Sequence, residues 1–368
     1  MKKLKGFRLN SHLFVHKNIP LSFSSITHWS NLLLAWKKAA KGKRRSYQVA
    51  SFEYHLADQL LDLQTKLMNG TYQPQGYTNF YIHEPKKRLI SASAFQDRVV
   101  HHALCNIIEP IFEHYFIEDS YANRKGKGAH KAIDRFQQFS RKYKYVLRLD
   151  IVKHFENIDH AILYQILSKY IEDEKIQDLI KIIIKSGQDI QYNPTGFLFA
   201  GDDLLSLCRP KGLPIGNLTS QFWSNCYLHP LDSFIKRELS CKAYLRYVDD
   251  FALFSNSKSE LWTWKKQIKE KLAEYRLHFH DNSAQVAQVK YGIPWLGFVV
   301  YPQYRRIKRR KVIYATRRLN YHYALLQKNK ISFAEFDVIV KGWLNHAKHA
   351  DSWGLRKHIL KDFIITKK

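Results

Sequence analysis

Residues 244–254 read Tyr244-Leu245-Arg246-Tyr247-Val248-Asp249-Asp250-Phe251-Ala252-Leu253-Phe254. Two apolar, aromatic-rich runs flank a pair of adjacent acids. Such runs have strand composition, and a short polar break between them predicts a tight hairpin. The hairpin would carry two carboxylates to its tip on rigid backbone. Neighbouring half-buried carboxylates repel each other and call for a compensating cation, for which oxygen ligands suit a hard divalent metal. The plain alternative is a solvated turn, where Asp is common. Asp202-Asp203, between Gly201 and Leu204, looks like such a loop or helix start. An Asp-Asp pair alone therefore decides little, and a metal site needs a third acid at another strand end.

Tyr145-Val146-Leu147-Arg148-Leu149-Asp150-Ile151 supplies one. It alternates like a strand and ends in an acid. Phe155 follows, and Asp159 caps an expected helix. Asp150, Asp249 and Asp250 could jointly hold two Mg²⁺ ions ~3.5–4 Å apart, activating a hydroxyl and stabilising a leaving phosphate oxygen in line. Charge grows on the non-bridging oxygens, so basic groups such as Arg88 and Arg124 would contribute. That chemistry is nucleotidyl transfer.

The chain has 368 residues, enough for two or three subdomains with real cores. Lys plus Arg number 60 against 32 acids, a formal charge of +28. That excess points away from an ordinary enzyme of small substrates and toward a polyanionic partner, most simply nucleic acid. The 22 Tyr, 22 Phe and 8 Trp support this, because bases stack on aromatic faces while Lys and Arg track phosphates. Cys105, Cys208, Cys226 and Cys241 lack paired metal spacing and sit in apolar company, so they read as reduced core thiols of a cytoplasmic protein. His101-His102 and His346/His349 have no partner at zinc spacing and are expected in structural or RNA-facing roles. No apolar run approaches membrane-spanning length, and no signal-peptide core is visible.

Along the rest of the chain, residues 1–30 lack a clear period. Leu32–Trp36 predicts a short helix ahead of Lys37, Lys38, Lys41, Lys43, Arg44 and Arg45, a solvated loop or a phosphate contact. Phe52, Leu56, Leu60, Leu63 and Leu67 fall at helical spacing, stopped by Asn69-Gly70. Residues 80–90 predict a hairpin with a basic turn, able to clamp a triphosphate or simply to face solvent. Asp97–Phe116 predicts a long helix that Pro110 should kink or divide. Residues 161–186 read as helices, 187–211 as irregular, 221–239 as an apolar helix and 258–276 as a helix. Trp295–Tyr301 reads as a strand pair or turn. Arg305–Arg318 carries eight basic residues in fourteen and leads into a small basic helical domain.

Taken together these motifs resemble the reverse transcriptases. Tyr247-Val248-Asp249-Asp250 is similar to their active-site box, and Asp150-Ile151-Val152-Lys153-His154-Phe155 to their first-aspartate motif. Arg88, Asp97-Arg98-Val99-Val100 and the Arg124 loop resemble the fingers motifs, and Trp295-Leu296-Gly297-Phe298 the primer grip. The matches cover about residues 80–300. The resemblance implies an α+β right-hand polymerase: an N-terminal basic extension over 1–45, fingers over 46–140, a palm with an antiparallel, RRM-like sheet over 141–300 and a helical thumb over 301–368. It implies two Mg²⁺ ions, with Mn²⁺ as a substitute, on Asp150, Asp249, Asp250 and the Ile151 backbone. Lys87, Arg88, Arg124, Phe155 and Gln221 would bind the deoxynucleotide. Ile215, Gly216 and Asn217 would face the template, and Trp295, Leu296 and Gly297 the primer. Expected partners are template RNA, primer and cDNA, with no membrane. A bulky Phe155 under the sugar would collide with a 2′-hydroxyl and select deoxynucleotides; outside the motif it would read equally well as core.

Ile215-Gly216-Asn217-Leu218-Thr219-Ser220-Gln221 refines the resemblance. Group II intron enzymes have Gln-Gly at the start of this loop and Ser-Pro at its end. Ile-Gly with Ser-Gln is similar to the enzymes of diversity-generating retroelements, which misincorporate opposite template adenines and work with a small basic helical-bundle accessory protein. The short chain, without room for maturase or endonuclease domains after the thumb, agrees. One position departs from the family: Ser283 stands where a Lys is common, with Lys290 as an uncertain substitute, so the proton for pyrophosphate would come from elsewhere. Three alternatives stay open: another prokaryotic reverse transcriptase of intron, retron or phage-defence type, an RNA-dependent RNA polymerase, and a non-catalytic RNA-binding protein.

Overall fold

A computed structural model describes residues 21–83, 87–187, 198–361 and 363. Residues 84–86 of the basic turn expected within 80–90, and residues 1–20 of the extension, lie outside them. Contacts divide the chain into two units that interleave along the sequence. The first holds residues 1–115, 155–198 and 202–227; the second holds 116–154, 199–201 and 228–368.

The first unit is mainly helical. Helix Trp29–Ala40 buries Leu32, Ala35, Trp36 and Ala39 on one face and packs against helix Phe95–Tyr115. Asn31, itself buried, donates to the carbonyls of Ile26 (2.9 Å) and Ala103 (3.0 Å), which ties the two helices together. The periodic leucines form two helices, Tyr47–Tyr54 and Leu56–Met68, broken at His55. Phe95–Tyr115 runs as one helix through Pro110, so the proline does not divide it. A proline there costs about 3 kcal/mol, but Val99, Val100, Ala103, Leu104, Ile107 and Ile108 are all buried, and apolar burial on that scale outweighs it. At its start the buried Asp97 accepts from Tyr72 Oη (2.8 Å) and the Gln75 amide (2.9 Å), fixing the loop after Gly70. Strands β1 (Tyr77–Ile82) and β2 (Arg88–Ser93) form the expected hairpin. Asp203 accepts from Ser206 in a capping box and Asp202 pairs with Arg209, so this acid pair is a helix start and not a metal site.

The second unit is built on a four-stranded antiparallel sheet. Strands β3 (Tyr145–Asp150), β4 (Tyr244–Tyr247), β5 (Asp250–Ser255) and β6 (Val286–Gln288) lie in the order β4-β5-β3-β6. Helices Ala129–Lys142 and Lys258–Glu274 pack on it. Val146, Leu245, Ala252 and Phe254 meet Ile133, Phe136 and Phe139 in one core, which also takes in Trp295 and Phe298. A three-stranded sheet follows: β7 (Ile293–Trp295), β8 (Phe298–Val300) and β9 (Arg305–Ile307). The C-terminal segment is helical as expected, over Arg309–Gln327, Phe333–Ala347 and Trp353–Leu360. The apolar helix starts at Leu218 and closes after Ser233 in a wide π-turn, Phe234–Glu238. Mixed helix and sheet is the class the sequence implied.

Cys105, Cys226 and Cys241 are buried thiols, but Cys208 is exposed, correcting the expectation of four core cysteines. It ends a short 3-10 turn, Leu204–Cys208, in the irregular stretch. Among the described residues no helix is long and apolar enough to cross a membrane.

Candidate active site

The ladder between β3 and β5 sets the site. Its register runs from Tyr145 opposite Ser255 to Asp150 opposite Asp250. Antiparallel pairing therefore brings the last residue of one strand beside the first of the other. The β4–β5 hairpin pairs Tyr247 with Asp250, leaving Val248 and Asp249 as its turn. The Ile151 amide donates to the Asp249 carbonyl (3.3 Å). On the far side the His280 amide donates to the Asp150 carbonyl (3.0 Å), and the Val152 amide to that of His278 (2.9 Å). Asp150, Ile151, Asp249 and Asp250 are thus held by backbone on both sides of β3. Ile151 is buried and the three acids are half-buried.

Electrostatics follow from that crowding. The Asp250 carboxyl is pushed up to about 7 by burial and by the charges of Asp150 and Asp249, against the opposing pull of Arg148 and Lys308. Burial draws Arg148 down despite Asp250 and Asp150, and its guanidinium donates to the Pro294 carbonyl. Burial and the Arg148 charge draw Lys308 down. Two half-buried cations thus face Asp250, and the mutual repulsion of the acids still outweighs their pull on it. Among the described residues, no three His, Cys, Asp or Glu side chains are gathered into a ready-made metal cage. Mg²⁺ does not require one, since it keeps several waters and binds through one or two carboxylates plus substrate phosphates. The donor set fits that ion.

The primer-grip residues lie in the same unit. Trp295 is buried and stacks on Phe136 (centroids 5.0 Å apart), so its ring serves the core. Leu296 and Gly297 form the β7–β8 turn with φ of 42° and 92°, and the Gly297 carbonyl accepts from the Lys308 amide (3.0 Å). Arg124 Nη1 donates to the carbonyls of Ile117 (2.6 Å) and Ser120 (2.9 Å), and the guanidinium lies over Phe116. Ser283 Oγ bonds the His280 carbonyl (3.0 Å), while Lys290 is exposed over Tyr291.

The remaining predicted residues belong to the first unit. Lys87 is exposed, its Nζ 4.4 Å from the Tyr81 ring centre, and Arg88 opens β2 opposite Ile82. Phe155 is half-buried, and its carbonyl accepts from Leu213 (2.8 Å). The loop Ile215-Gly216-Asn217 lies along β2. Ser91 donates its amide to the Ile215 carbonyl (2.9 Å), and Ser93 donates its amide to Asn217 Oδ1 (3.4 Å). Gln221 is exposed in the first turn of the helix that follows.

The sequence reading missed Asp232, wholly buried with Arg246. The signal was available: an Arg inside an apolar strand must find a buried partner.

Residues 82–300 match the family described as "Reverse transcriptase (RNA-dependent DNA polymerase)". The chain belongs to the reverse transcriptase family. Among its relatives is the group II intron-encoded protein LtrA of Lactococcus lactis subsp. cremoris, 29% identical over 174 residues, 46% of this chain and 27% of that protein. Protein YkfC of Escherichia coli is 25% identical over 282 residues, 66% of this chain and 71% of that one. Nuclear intron maturase 1 of Arabidopsis thaliana is 27% identical over 146 residues, 34% and 20% of the two chains. This chain thus spans about a quarter of the intron-encoded relatives' length.

Proposed function

We propose that this member of the family is an RNA-directed DNA polymerase, extending a primer with deoxynucleotides on an RNA template. The observation that carries the reading is the β3–β5 register, which sets Asp150 opposite Asp250 with Asp249 in the adjoining turn. In this reading Asp150, Asp249 and Asp250, with the Ile151 backbone, would hold Mg²⁺, which when bound activates a hydroxyl and neutralises phosphate charge. Lys87 and Arg88 bind the triphosphate, and Arg124 braces the adjacent loop. Phe155 excludes the 2′-hydroxyl. Ile215, Gly216 and Asn217 seat the template, and Gln221 lies beside the incoming nucleotide. Because the Trp295 ring is in the core, the primer is met by the Leu296–Gly297 turn. Extension, fingers, palm and thumb would follow the bounds 1–45, 46–140, 141–300 and 301–368.

Primer extension on an RNA template tests this. Wild type should extend with Mg²⁺ and stop on chelation, and Asp249→Ala should lose at least ~10³-fold in rate. No extension by wild type with any divalent ion would leave an RNA-binding protein as the better reading.

Within that activity, the loop Ile215–Gln221 favours an error-prone enzyme of a diversity-generating retroelement, assisted by a small basic helical accessory protein. A second reading, a group II-like reverse transcriptase, draws support from the intron-encoded relatives. Sequencing cDNA made on a defined RNA separates them: errors concentrated opposite adenine support the first, and an even spectrum the second.

A further inference from the structure

The hairpin tip is pinned by a side chain from its own first strand. Arg246, in β4, is wholly buried, as is Asp232. Arg246 Nε donates to Asp232 Oδ1 (2.8 Å) and Oδ2 (3.1 Å), and Nη2 to Oδ2 (2.7 Å). Tyr244 Oη donates to the same Oδ1 (2.6 Å). The backbone of Arg246 is equally fixed: its amide donates to the Asp119 carbonyl (2.9 Å), and its carbonyl accepts from the Tyr121 amide (3.0 Å). From this anchored position Nη1 reaches forward and donates to the carbonyl of Val248 (3.0 Å).

Val248 is where the turn is strained. Its φ of 57° lies in the left-handed region, which a β-branched residue avoids and glycine occupies freely. Such strain persists only where the surroundings over-determine it. The Val248 carbonyl belongs to the peptide that joins Val248 to Asp249, so fixing that oxygen fixes the plane from which Asp249 and Asp250 project. A buried ion pair is not required for stability, because well-packed apolar residues often serve as well. A lysine could pair with Asp232 as a point charge, but only the guanidinium fork grips a carboxylate and spares a donor for a third acceptor.

We propose that Arg246, locked by Asp232, is a positioning residue that holds the strained Val248–Asp249 peptide and thereby aims the hairpin carboxylates. The proposal rests on the polymerase reading for its functional consequence, but not for its structural one. The test uses the paired substitution Arg246→Met with Asp232→Leu, which removes both charges together, and the same pair carrying Val248→Gly. Two quantities are read: amide exchange at Asp249 and Asp250 without metal, and single-nucleotide insertion on an RNA template, with burst amplitude, burst rate and Mg²⁺ midpoint.

The paired variant should exchange those two amides at least ~10-fold faster. It should keep its burst amplitude and dNTP KM, insert ~10- to 100-fold more slowly and need several-fold more Mg²⁺. Val248→Gly should recover several-fold of the rate, since the turn then keeps its φ without the pin. If the apolar pair lowers the yield of folded protein, Arg246→Lys should give the same signature with both charges kept. Unchanged amide exchange, or a fall in burst amplitude with rate and Mg²⁺ midpoint intact, would overturn the proposal. Absence of extension in wild type, with faster exchange in the variant, would count against the polymerase reading and leave the pin standing.

Discussion

Gly216→Ala is the substitution whose cost can be worked most directly. Gly216 has a φ of +123°, and a Cβ there would lie 3.1 Å from Ile90 Cγ2 and 3.5 Å from the Ser91 carbonyl oxygen. Forcing an L-residue into that backbone region costs about 1–3 kcal/mol. The contact with Ile90 adds ~1 kcal/mol, the low end of overpacking, because the half-buried Ile90 can yield by a few tenths of an ångström. The expected loss is therefore ~2–4 kcal/mol, read from urea denaturation midpoints. The loop is bonded to β2 through Ser91 and Ser93, so it should shift and slow nucleotide insertion by ~10-fold. The Mg²⁺ midpoint should hold, because Asp150, Asp249 and Asp250 belong to the other unit. Removing Cγ2 separates the two terms. In the Ile90→Ala background the Gly216→Ala cost should drop by ~1 kcal/mol, the steric part, and the backbone part should remain. A cost below ~1 kcal/mol in the wild-type background, or no coupling to Ile90, would refute the reasoning.

Three further outcomes are expected. Phe155→Ala should raise ribonucleotide insertion relative to deoxynucleotide by ~10-fold or more; an unchanged ratio in competition assays would assign Phe155 to packing alone. Ile215→Gln, which restores the intron-type residue, should lower misincorporation opposite adenine, and an identical error spectrum would remove Ile215 from fidelity. His101 is buried, and burial, then the charges of His102 and Arg98, push it down to about 3. The unfolded chain takes up that proton near pH 6.5, so the contribution is intact above that pH and is lost as pH falls toward 3. Between pH 7 and 5 this ring should cost about 2 kcal/mol of stability, and His101→Leu should flatten that part of the profile; parallel profiles for the two proteins would contradict it.

What the sequence alone determined is local and periodic. The Tyr244–Phe254 hairpin, the β3 strand ending in Asp150, the Asp159 and Asp203 caps and the C-terminal helices are all set by residue pattern within a few turns of chain. Charge excess and motif order were likewise legible without coordinates. The continuity of Phe95–Tyr115 through Pro110 was not, because the burial that outweighs a proline comes from a neighbouring helix. The exposure of Cys208 was not, because composition cannot tell an apolar neighbour in sequence from one in space. Only the tertiary structure decided the ladder register that sets Asp150 beside Asp250 across about a hundred residues. It also decided that the Trp295 ring belongs to the core, and that Arg246 turns its fork to Asp232 and reaches the Val248 carbonyl with Nη1. Those choices depend on long-range pairing and on which buried donor finds which acceptor, and neither leaves a period in the chain.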